Sequence, residues 1–287
     1  MKTFTSIFIS AFLLASCSST EPLVESEPGE DVTRHPTTQA TAWVQNSAEY
    51  KALAIQTYRT AKYTLPLPLQ DSFWTASPDQ EKTEFNSLPP AIIFDVDETV
   101  LDNSPFQARM IKNQSSFNNE AWNEWCNEAN ASGIPGAADF ATYTANQGVE
   151  IFYITNRDFE VEEATRRNLV AEGFPVSDSL DNIMSNGEEP EWTSSKVERR
   201  KLVEQHYRVL MIIGDDLNDF ISAKNISEQE RDTIISEYAG YFGKRWFMLP
   251  NPVYGSWDQA MYNFSYDYSD EERQQILLEH LNSKEKN

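Results

Sequence analysis

The residues best suited to chemistry follow three short apolar runs, each at the point where the run ends. Asp95 and Asp97 follow the first run, Thr155 the second, and Asp215 and Asp219 the third. Residues i and i+2 of an extended segment project to the same side, so Asp95 and Asp97 can flank one reacting atom. Carboxylate oxygens from two strands, together with waters and substrate oxygens, suit Mg²⁺. The pattern therefore indicates metal-assisted chemistry centred on a carboxylate.

A lysine lies between the second and third of these groups along the chain. Lys196 stands in Ser195-Lys196-Val197-Glu198, a capping-box pattern that predicts a helix start. Taken alone, Lys196 and Asp219 are also compatible with solvated helix residues, and Thr155 with a turn or N-cap hydroxyl. Their occurrence together is what favours a shared site.

The segments that carry these groups predict a buried parallel sheet. Residues 91–94, 149–154 and 209–213 are near-continuous runs of β-branched, aliphatic and aromatic residues. Such runs are typical of strands buried on both faces. Residues 246–249 predict a further strand, which Pro250 closes. In open sheets of this class ligands bind at the carboxyl edge, where the polar groups stand.

Helical patterns alternate with the strands, which predicts an α/β fold with a Rossmann-like parallel sheet. Apolar residues recur at helical spacing over 40–62, before two prolines. Further helices are predicted over 160–172, from 195 to about 206, and after a second capping box that begins at Ser269. Segment 105–148 is too long for a simple loop and predicts a small helical cap over the carboxyl edge.

The N-terminus has the pattern of an export signal followed by a tether. Residues 1–16 hold one basic residue and an apolar run too short to span a bilayer. The run ends in Leu14-Ala15-Ser16-Cys17, which resembles a bacterial lipobox, although an ordinary signal with a chance cysteine is the alternative. Residues 17–36 are rich in Ser, Glu, Pro and Thr and predict a flexible tether. We therefore expect removal of 1–16 and attachment to a membrane surface through a lipid on Cys17.

The body of the protein is predicted to begin at residue 37. Its core sheet is expected over about 88–104 and 149–265, with helical accessory parts over about 37–65, 105–148 and 266–287. Of the 287 residues 40% are hydrophobic and 12% aromatic, enough for a sizeable core. The net charge of −22 argues against binding to nucleic-acid polymers, whose affinity comes mainly from Lys and Arg. Only two cysteines occur, so a framework of several disulfides is excluded.

Together these groups resemble the four motifs of the haloacid dehalogenase-like phosphatases. The motifs are Asp95-x-Asp97-x-Thr99, Thr155, Lys196 and Gly214-Asp215-Asp216-x-x-Asp219. The longer strings FDVDETVLDNS at 94–104 and NPVYGSW at 251–257 are similar to the class C bacterial acid phosphatases, including the lipoprotein e type that acts as a 5′-nucleotidase. The resemblance covers roughly 40–265 and includes the lipobox. Asp216 stands where Asn is expected in many members and would add negative charge beside the metal.

The resemblance implies a Mg²⁺-dependent acid phosphatase that hydrolyses phosphomonoesters, including nucleoside 5′-monophosphates, through an aspartyl-phosphate. It assigns attack on phosphorus to Asp95 and general acid–base catalysis to Asp97. The implied ligands of Mg²⁺ are the carboxylates of Asp95 and Asp215 and the backbone carbonyl of Asp97. Asp219 is expected to orient the water shell of the metal or Lys196.

The remaining implied roles concern the substrate. Thr155 and Lys196 would hold the non-bridging oxygens and neutralise the charge of the phosphoryl group. The candidate substrate-binding residues are Asn156 and three aromatic residues, Trp122, Trp125 and Tyr254. Aromatic residues pack in cores at least as often as they bind ligands, so both roles stay open for them.

The sequence lacks the residue patterns of histidine phosphatases and cysteine phosphatases. The three histidines have no Arg-His-Gly context, and Ser132 stands where a cysteine phosphatase would need Arg after Cys126. Two alternatives to a hydrolase remain: a ligand- or partner-binding surface lipoprotein on a phosphatase scaffold, and a phosphotransferase that uses an alcohol in place of water. The sequence leaves a homodimer open. The expected location is the bacterial cell envelope, at the outer membrane.

Overall fold

Within residues 35–265 and 267–284, which the computed structural model describes, the strands form one parallel sheet of five strands and one small antiparallel pair. The strands are β1 (Pro90–Phe94), β2 (Leu101–Asp102), β3 (Ser132–Gly133), β4 (Glu150–Asp158), β5 (Ile183–Asn186), β6 (Arg208–Gly214) and β7 (Trp246–Met248). The order across the parallel sheet is β5-β4-β1-β6-β7, and β2 pairs with β3.

Helices connect the strands and cover the sheet. The α-helices are α1 (Thr38–Asn46), α2 (Ala48–Thr64), α3 (Pro66–Gln70), α4 (Ser104–Asn113), α5 (Asn119–Glu128), α6 (Ala137–Asn146), α7 (Glu162–Ala171), α8 (Val197–His206), α9 (Leu217–Phe220), α10 (Glu228–Glu237), α11 (Ser256–Met261) and α12 (Asp270–His280). Short 3₁₀-helices lie at Gln80–Lys82 and Phe159–Val161.

Alternate residues of the central strands pack into two separate cores. In β1, Ile92 and Phe94 belong to the core that includes residues of α2 and α6, whereas Ala91 and Ile93 belong to the core that includes Val203 of α8. Consecutive side chains of a strand point to opposite faces, so a strand covered on both faces must be apolar at every position. This explains why the strands read as continuous apolar runs in the sequence.

The pairing register brings the polar strand ends to one edge. Phe94 pairs with Tyr153 of β4 and with Ile213 of β6. The backbone N–H of Asp95 then donates to the carbonyl of Ile213 at 2.9 Å. Because these strands are parallel, the groups that follow β1, β4 and β6 emerge side by side.

The predicted cap segment, 105–148, contains α5, α6, nearly all of α4 and the short strand β3. It meets the sheet at the end of β4, where Asn123 Nδ2 of α5 donates to Asp158 Oδ2 at 3.1 Å. The other predicted accessory parts contain α1, α2 and α12.

One long predicted helix and two predicted capping boxes have different outcomes in the structure. The helix predicted over 40–62 is divided at Ser47, whose backbone is extended and whose hydroxyl accepts from the N–H of Tyr50 at 3.0 Å. The capping box at Ser195 is wrong: Lys196 is the N-cap of α8, without a side-chain cap bond. The capping box at Ser269 is confirmed at the start of α12.

The export signal over 1–16, Cys17 and the tether up to residue 34 lie outside the described residues. Within the described ranges, no helix combines the length and the apolar composition needed to cross a membrane. Cys126 is buried and free, and burial raises the pKa of its thiol to about 12.

Candidate active site

Four charged side chains meet at the carboxyl edge of the sheet. Asp95 follows β1, Asp215 and Asp219 follow β6, and carboxylate oxygens of all three lie within 4.8 Å of one another. Lys196, which precedes α8, contacts Asp95 Oδ1 and lies 2.6 Å from Asp219 Oδ1 through its Nζ. Asp95, Lys196 and Asp219 are each at most 6% exposed. Their charges therefore interact with little screening by solvent.

This cluster carries more negative than positive charge. Three carboxylates face one ammonium group, and Asp95 Oδ2 is buried without a hydrogen-bond partner. Burial raises the pKa of Asp95 to about 7 although Lys196 opposes the rise. Burial, with the charges of Asp95 and Asp219, raises the pKa of Asp215 well above its usual value. A divalent cation would relieve this excess negative charge, and carboxylate oxygens are ligands that Mg²⁺ prefers, so this donor set fits Mg²⁺.

Both carboxylate oxygens of Asp219 have partners within the protein. Oδ1 binds Lys196, and Oδ2 accepts from the backbone N–H groups of Asp215 at 3.1 Å and Asp216 at 2.9 Å. Gly214 makes this approach sterically feasible, because a Cβ at that position would collide with the Asp219 carboxylate. Asp219 thus positions Lys196 and the turn after β6, which is the geometry that its predicted supporting role requires.

Asp97 lies beside the cluster and is held by three neighbours. Its Oδ1 accepts from Asn103 Nδ2 and from Arg157 Nε, each at 2.9 Å. Its Oδ2 accepts from Thr155 Oγ1 at 3.2 Å. Arg157 is buried; burial works against its charge, but the charge of Asp97 raises the pKa of the guanidinium. The three donors fix the rotation of the Asp97 carboxylate.

Arg199 ties the end of β4 to the loop before α8. Its guanidinium contacts the carbonyl of Thr155 and donates to Asn156 Oδ1 at 2.8 Å. Asn156 Nδ2 in turn donates to the carbonyl of Ser194 at 3.1 Å. Both polar ends of Asn156 therefore hold the loop that carries Lys196, while the residue itself lies exposed at the end of β4.

Asp215 is oriented by two residues to which the sequence analysis gave no role. Asn251 Nδ2 donates to Asp215 Oδ2 at 2.8 Å, and Thr99 Oγ1 donates to Oδ1 at 3.4 Å. Thr99 lies in the 94–104 string and Asn251 in the 251–257 string, both of which resemble class C acid phosphatases. Their positions along the chain do not show which carboxylate each would contact.

The two tryptophans of α5 lie in different environments. Trp125 is 3% exposed, donates its indole N–H to Asn103 Oδ1 at 2.8 Å and packs against Arg109. The prediction that Trp125 binds substrate is corrected: of the two roles left open, the ring takes the one in the core and holds Asn103. Trp122 is only partly buried, and the guanidinium of Arg157 lies 5.7 Å from its ring centre.

Tyr254 approaches the site from the loop after β7. Its hydroxyl donates to Glu98, a buried residue with a left-handed backbone at φ 59°. Glu98 also accepts the backbone N–H of Asn103 at 3.0 Å. Both aromatic residues are thus linked to Asp97 by one or two intermediate side chains. Trp122 is linked through Arg157, and Tyr254 through Glu98 and Asn103.

Comparison with known proteins agrees with this geometry. The family model for the HAD superfamily, subfamily IIIB (acid phosphatase), matches residues 15–257. The chain belongs to this family. The class C acid phosphatase of Bacillus anthracis, solved with tungstate bound, is 34% identical, with a TM-score of 0.75 over 86% of this chain and 97% of that one. The α/β fold and the resemblance to class C acid phosphatases are therefore confirmed.

Two plant proteins are similar to this chain at lower identity. The chain is 26% identical to the stem 28 kDa glycoprotein of Glycine max over 167 residues, which are 56% of this chain and 58% of that one. It is also 26% identical to acid phosphatase 1 of Solanum lycopersicum over 163 residues, 56% of this chain and 57% of that one. The chain thus spans little more than half the length of these relatives.

Proposed function

We propose that this subfamily IIIB protein is an acid phosphatase that hydrolyses phosphomonoesters with Asp95 as its nucleophile. One observation carries the proposal: Asp95 is buried, bound by Lys196 through one oxygen, and keeps its other oxygen without a partner. A carboxylate oriented in this way can attack phosphorus and form an aspartyl-phosphate, which water then hydrolyses. The membership in an acid phosphatase subfamily supports the same reaction.

The neighbouring side chains divide the remaining work. Asp97 protonates the leaving alcohol and later accepts a proton from the hydrolytic water, for which its fixed orientation prepares it. Lys196 and Thr155 hold the non-bridging oxygens of the phosphoryl group and oppose its charge. Tungstate bound to the Bacillus anthracis enzyme supports such an oxyanion cradle, because tungstate is a tetrahedral oxyanion like phosphate.

Mg²⁺ is the proposed cofactor. The residues that would hold it are Asp95 and Asp215 through their carboxylates and Asp97 through its backbone carbonyl. When bound, the ion supplies the positive charge that lets a carboxylate approach a phosphate dianion among so many acids. Asn251 and Thr99 hold Asp215 in place for this role.

The proposed substrates include nucleoside 5′-monophosphates. Trp122 and Tyr254 reach the surroundings of Asp97 by two separate routes, through Arg157 and through Glu98. Asp97 must face the leaving group, so their nearness to Asp97 supports these two rings as the proposed platforms for a base or another planar group. Stacking on such rings contributes about 1–3 kcal/mol per base.

The decisive experiment is the turnover of an aryl phosphate with and without Mg²⁺. The Asp95→Asn variant should lose about four to six decades of kcat, as is typical for loss of a covalent nucleophile. Asp79→Asn, on an exposed residue, is the matched control and should behave like the wild type. A folded Asp95→Asn protein that keeps more than about a tenth of kcat would refute the assignment. A wild-type protein without turnover would favour the binding-lipoprotein alternative.

A further inference from the structure

Asp216 stands next to the proposed metal ligand Asp215, but its carboxylate is bound elsewhere. Its two oxygens accept from the backbone N–H of Ser256 at 2.6 Å and from the Ser256 hydroxyl at 2.6 and 2.7 Å. Oδ1 also accepts the N–H of Asn218 at 2.9 Å, which caps α9. The acidic side chain at this position is therefore used to attach the start of α11 to the turn after β6.

The Ser256 hydroxyl has a second charged partner. Arg231 of α10 donates to it at 2.7 Å and to the carbonyl of Ala223 at 3.1 Å. Ser256 is 9% exposed, and none of the residues of α10 is fully buried. Arg231 is thus a main inward contact of this surface helix, and the hydroxyl of Ser256 links its guanidinium to the carboxylate of Asp216.

Gly255 packs closely against Asp216 and Trp257, next to the bond between Asp216 and Ser256. A Cβ on Gly255 would lie 3.0 Å from Asp216 Oδ2 and 2.9 Å from a ring carbon of Trp257. The backbone φ of Gly255 is 153°, which further disfavours any other residue. The loop of residues 249–255, between β7 and α11, therefore rests directly on Asp216.

This loop carries both Asn251 and Tyr254. Within it, Asn251 Oδ1 accepts the N–H of Val253 at 3.0 Å, and Trp257 Nε1 donates to the Asn251 carbonyl at 3.2 Å. Hydrogen bonds hold the loop near both ends: Asn251 donates to Asp215, and the backbone N–H of Ser256 donates to Asp216. Tyr254 lies between these two hydrogen-bonded residues, so the position of its ring depends on both bonds.

We propose that Asp216, Ser256 and Arg231 form a latch that positions the 249–255 loop and thereby sets selectivity for the organic part of the substrate. The three are positioning residues, which act through Tyr254 and not on the phosphoryl group. The inference rests on the proposed phosphatase function and adds the residues that would govern its substrate preference.

The test compares two substrates, a nucleoside 5′-monophosphate and a small alkyl phosphate that has no ring to stack. The variants are Ser256→Ala, which keeps the backbone bond to Asp216, and Asp216→Ala, which removes the whole attachment. We expect the ratio of kcat/KM for the nucleotide to that for the alkyl phosphate to fall about fivefold, mainly through the KM of the nucleotide. Asp79→Asn, on an exposed residue outside the latch and the 249–255 loop, is the matched control and should leave the ratio unchanged.

Two results would overturn the latch. An unchanged ratio in both variants would show that the attachment does not reach the substrate. An equal loss of kcat on both substrates would place Asp216 at the reaction centre, as its position beside Asp215 suggested. Ser256→Ala keeps the test valid if Asp216→Ala fails to fold. Wild-type turnover and its loss in Asp95→Asn, measured in the same assays, separate failure of the latch from failure of the proposed function.

Discussion

The two oxygens of the Asp97 carboxylate have different surroundings. Oδ1 already accepts two hydrogen bonds, from Asn103 and from the buried guanidinium of Arg157, whereas Oδ2 accepts a single one from Thr155. A carboxylate oxygen has two lone-pair positions, so Oδ2 keeps one for proton transfer. Arg157 therefore selects which oxygen of the proposed general acid faces the leaving group.

Substitution of Arg157 should reveal this selection in the leaving-group dependence. Arg157→Lys keeps a charge but cannot reproduce the fork that also reaches Asn103 and Thr165. General acid catalysis contributes about 10²–10⁴-fold, so loss of alignment should lower kcat for alkyl phosphates by about 10- to 100-fold. Aryl phosphates, whose leaving groups need little protonation, should be affected much less. Steady-state kinetics over a series of leaving-group pKa values measures the difference.

The control for Arg157→Lys must account for folding, because the residue is buried. Urea unfolding gives the folded fraction at the assay temperature, and Arg167→Lys, on the surface of α7, shows the effect of the same exchange away from the site. Equal losses on alkyl and aryl phosphates, after correction for folding, would contradict the positioning of Asp97 by Arg157.

Tyr254 should contribute to binding through its ring and to orientation through its hydroxyl. Tyr254→Ala is expected to raise KM for nucleoside monophosphates by at least about fivefold, since stacking is lost. Tyr254→Phe keeps the ring but loses the bond to Glu98, so its KM should lie between those of the wild type and Tyr254→Ala. A small alkyl phosphate should show little change. Equal losses on both substrates would mean that Tyr254 serves packing alone.

The sequence located the charged residues of the site better than their supports. Asp95, Asp97 and Asp215 stand directly after apolar runs, so the topology of a parallel sheet was enough to bring them together. The role of Trp125 could not be predicted, because an aromatic residue on a helix gives the same pattern whether it packs or binds. Asn103 and Arg157 are 54 residues apart along the chain and meet only through the fold.

At the scale of elements, two strand ends, those of β1 and β6, and the start of α8 create a cluster with excess negative charge. A bound cation that prefers the native state raises its stability by mass action. Addition of Mg²⁺ should therefore raise the melting temperature of the wild type, and Asp215→Asn should abolish most of this rise. Asp216→Asn is a matched control at the next position, because the oxygens of Asp216 bind Ser256 and Asn218. Differential scanning fluorimetry over a Mg²⁺ titration gives the result without any activity assay.

Two outcomes would contradict this assignment. A melting temperature that does not respond to Mg²⁺ in the wild type would argue against a resident cation. A response that is lost in Asp216→Asn but kept in Asp215→Asn would move the site to the neighbouring carboxylate.

The elements themselves were predictable to the extent that they bury apolar residues at a regular period. β1, β4, β6 and β7 were predicted from their apolar runs. β5 was missed because it is four residues long and ends in Ser-Asn, and α10 was missed because none of its residues is fully buried. The capping box at Ser195 was wrong because α8 begins one residue later, with Lys196 as its N-cap, and the Ser195 carbonyl accepts from Arg199.

At the scale of the whole molecule, buried cations surround the site although the chain is strongly acidic. The net charge is −22, yet Arg157, Lys196 and Arg199 are all buried around the carboxyl edge of the sheet. Buried charges are screened less than surface charges, so these three act on a bound phosphate more strongly than distant surface carboxylates do. An acidic protein can thus bind an anionic ester at one local site while its surface stays unsuited to nucleic-acid polymers.

Anchoring is the last property of the whole molecule, and we propose that it depends on a lipid on Cys17. One acyl chain binds a bilayer only reversibly, whereas two or more anchor a protein stably. Cys17→Ser removes the thiol that the lipobox would present, so palmitate labelling should vanish and the protein should move from the detergent phase to the aqueous phase. Cys126→Ser changes the other cysteine, which is buried in the body, and should keep both label and phase. Palmitate labelling that persists in Cys17→Ser would refute the lipobox. Loss of labelling in Cys126→Ser would show that the lipid is attached to Cys126 instead.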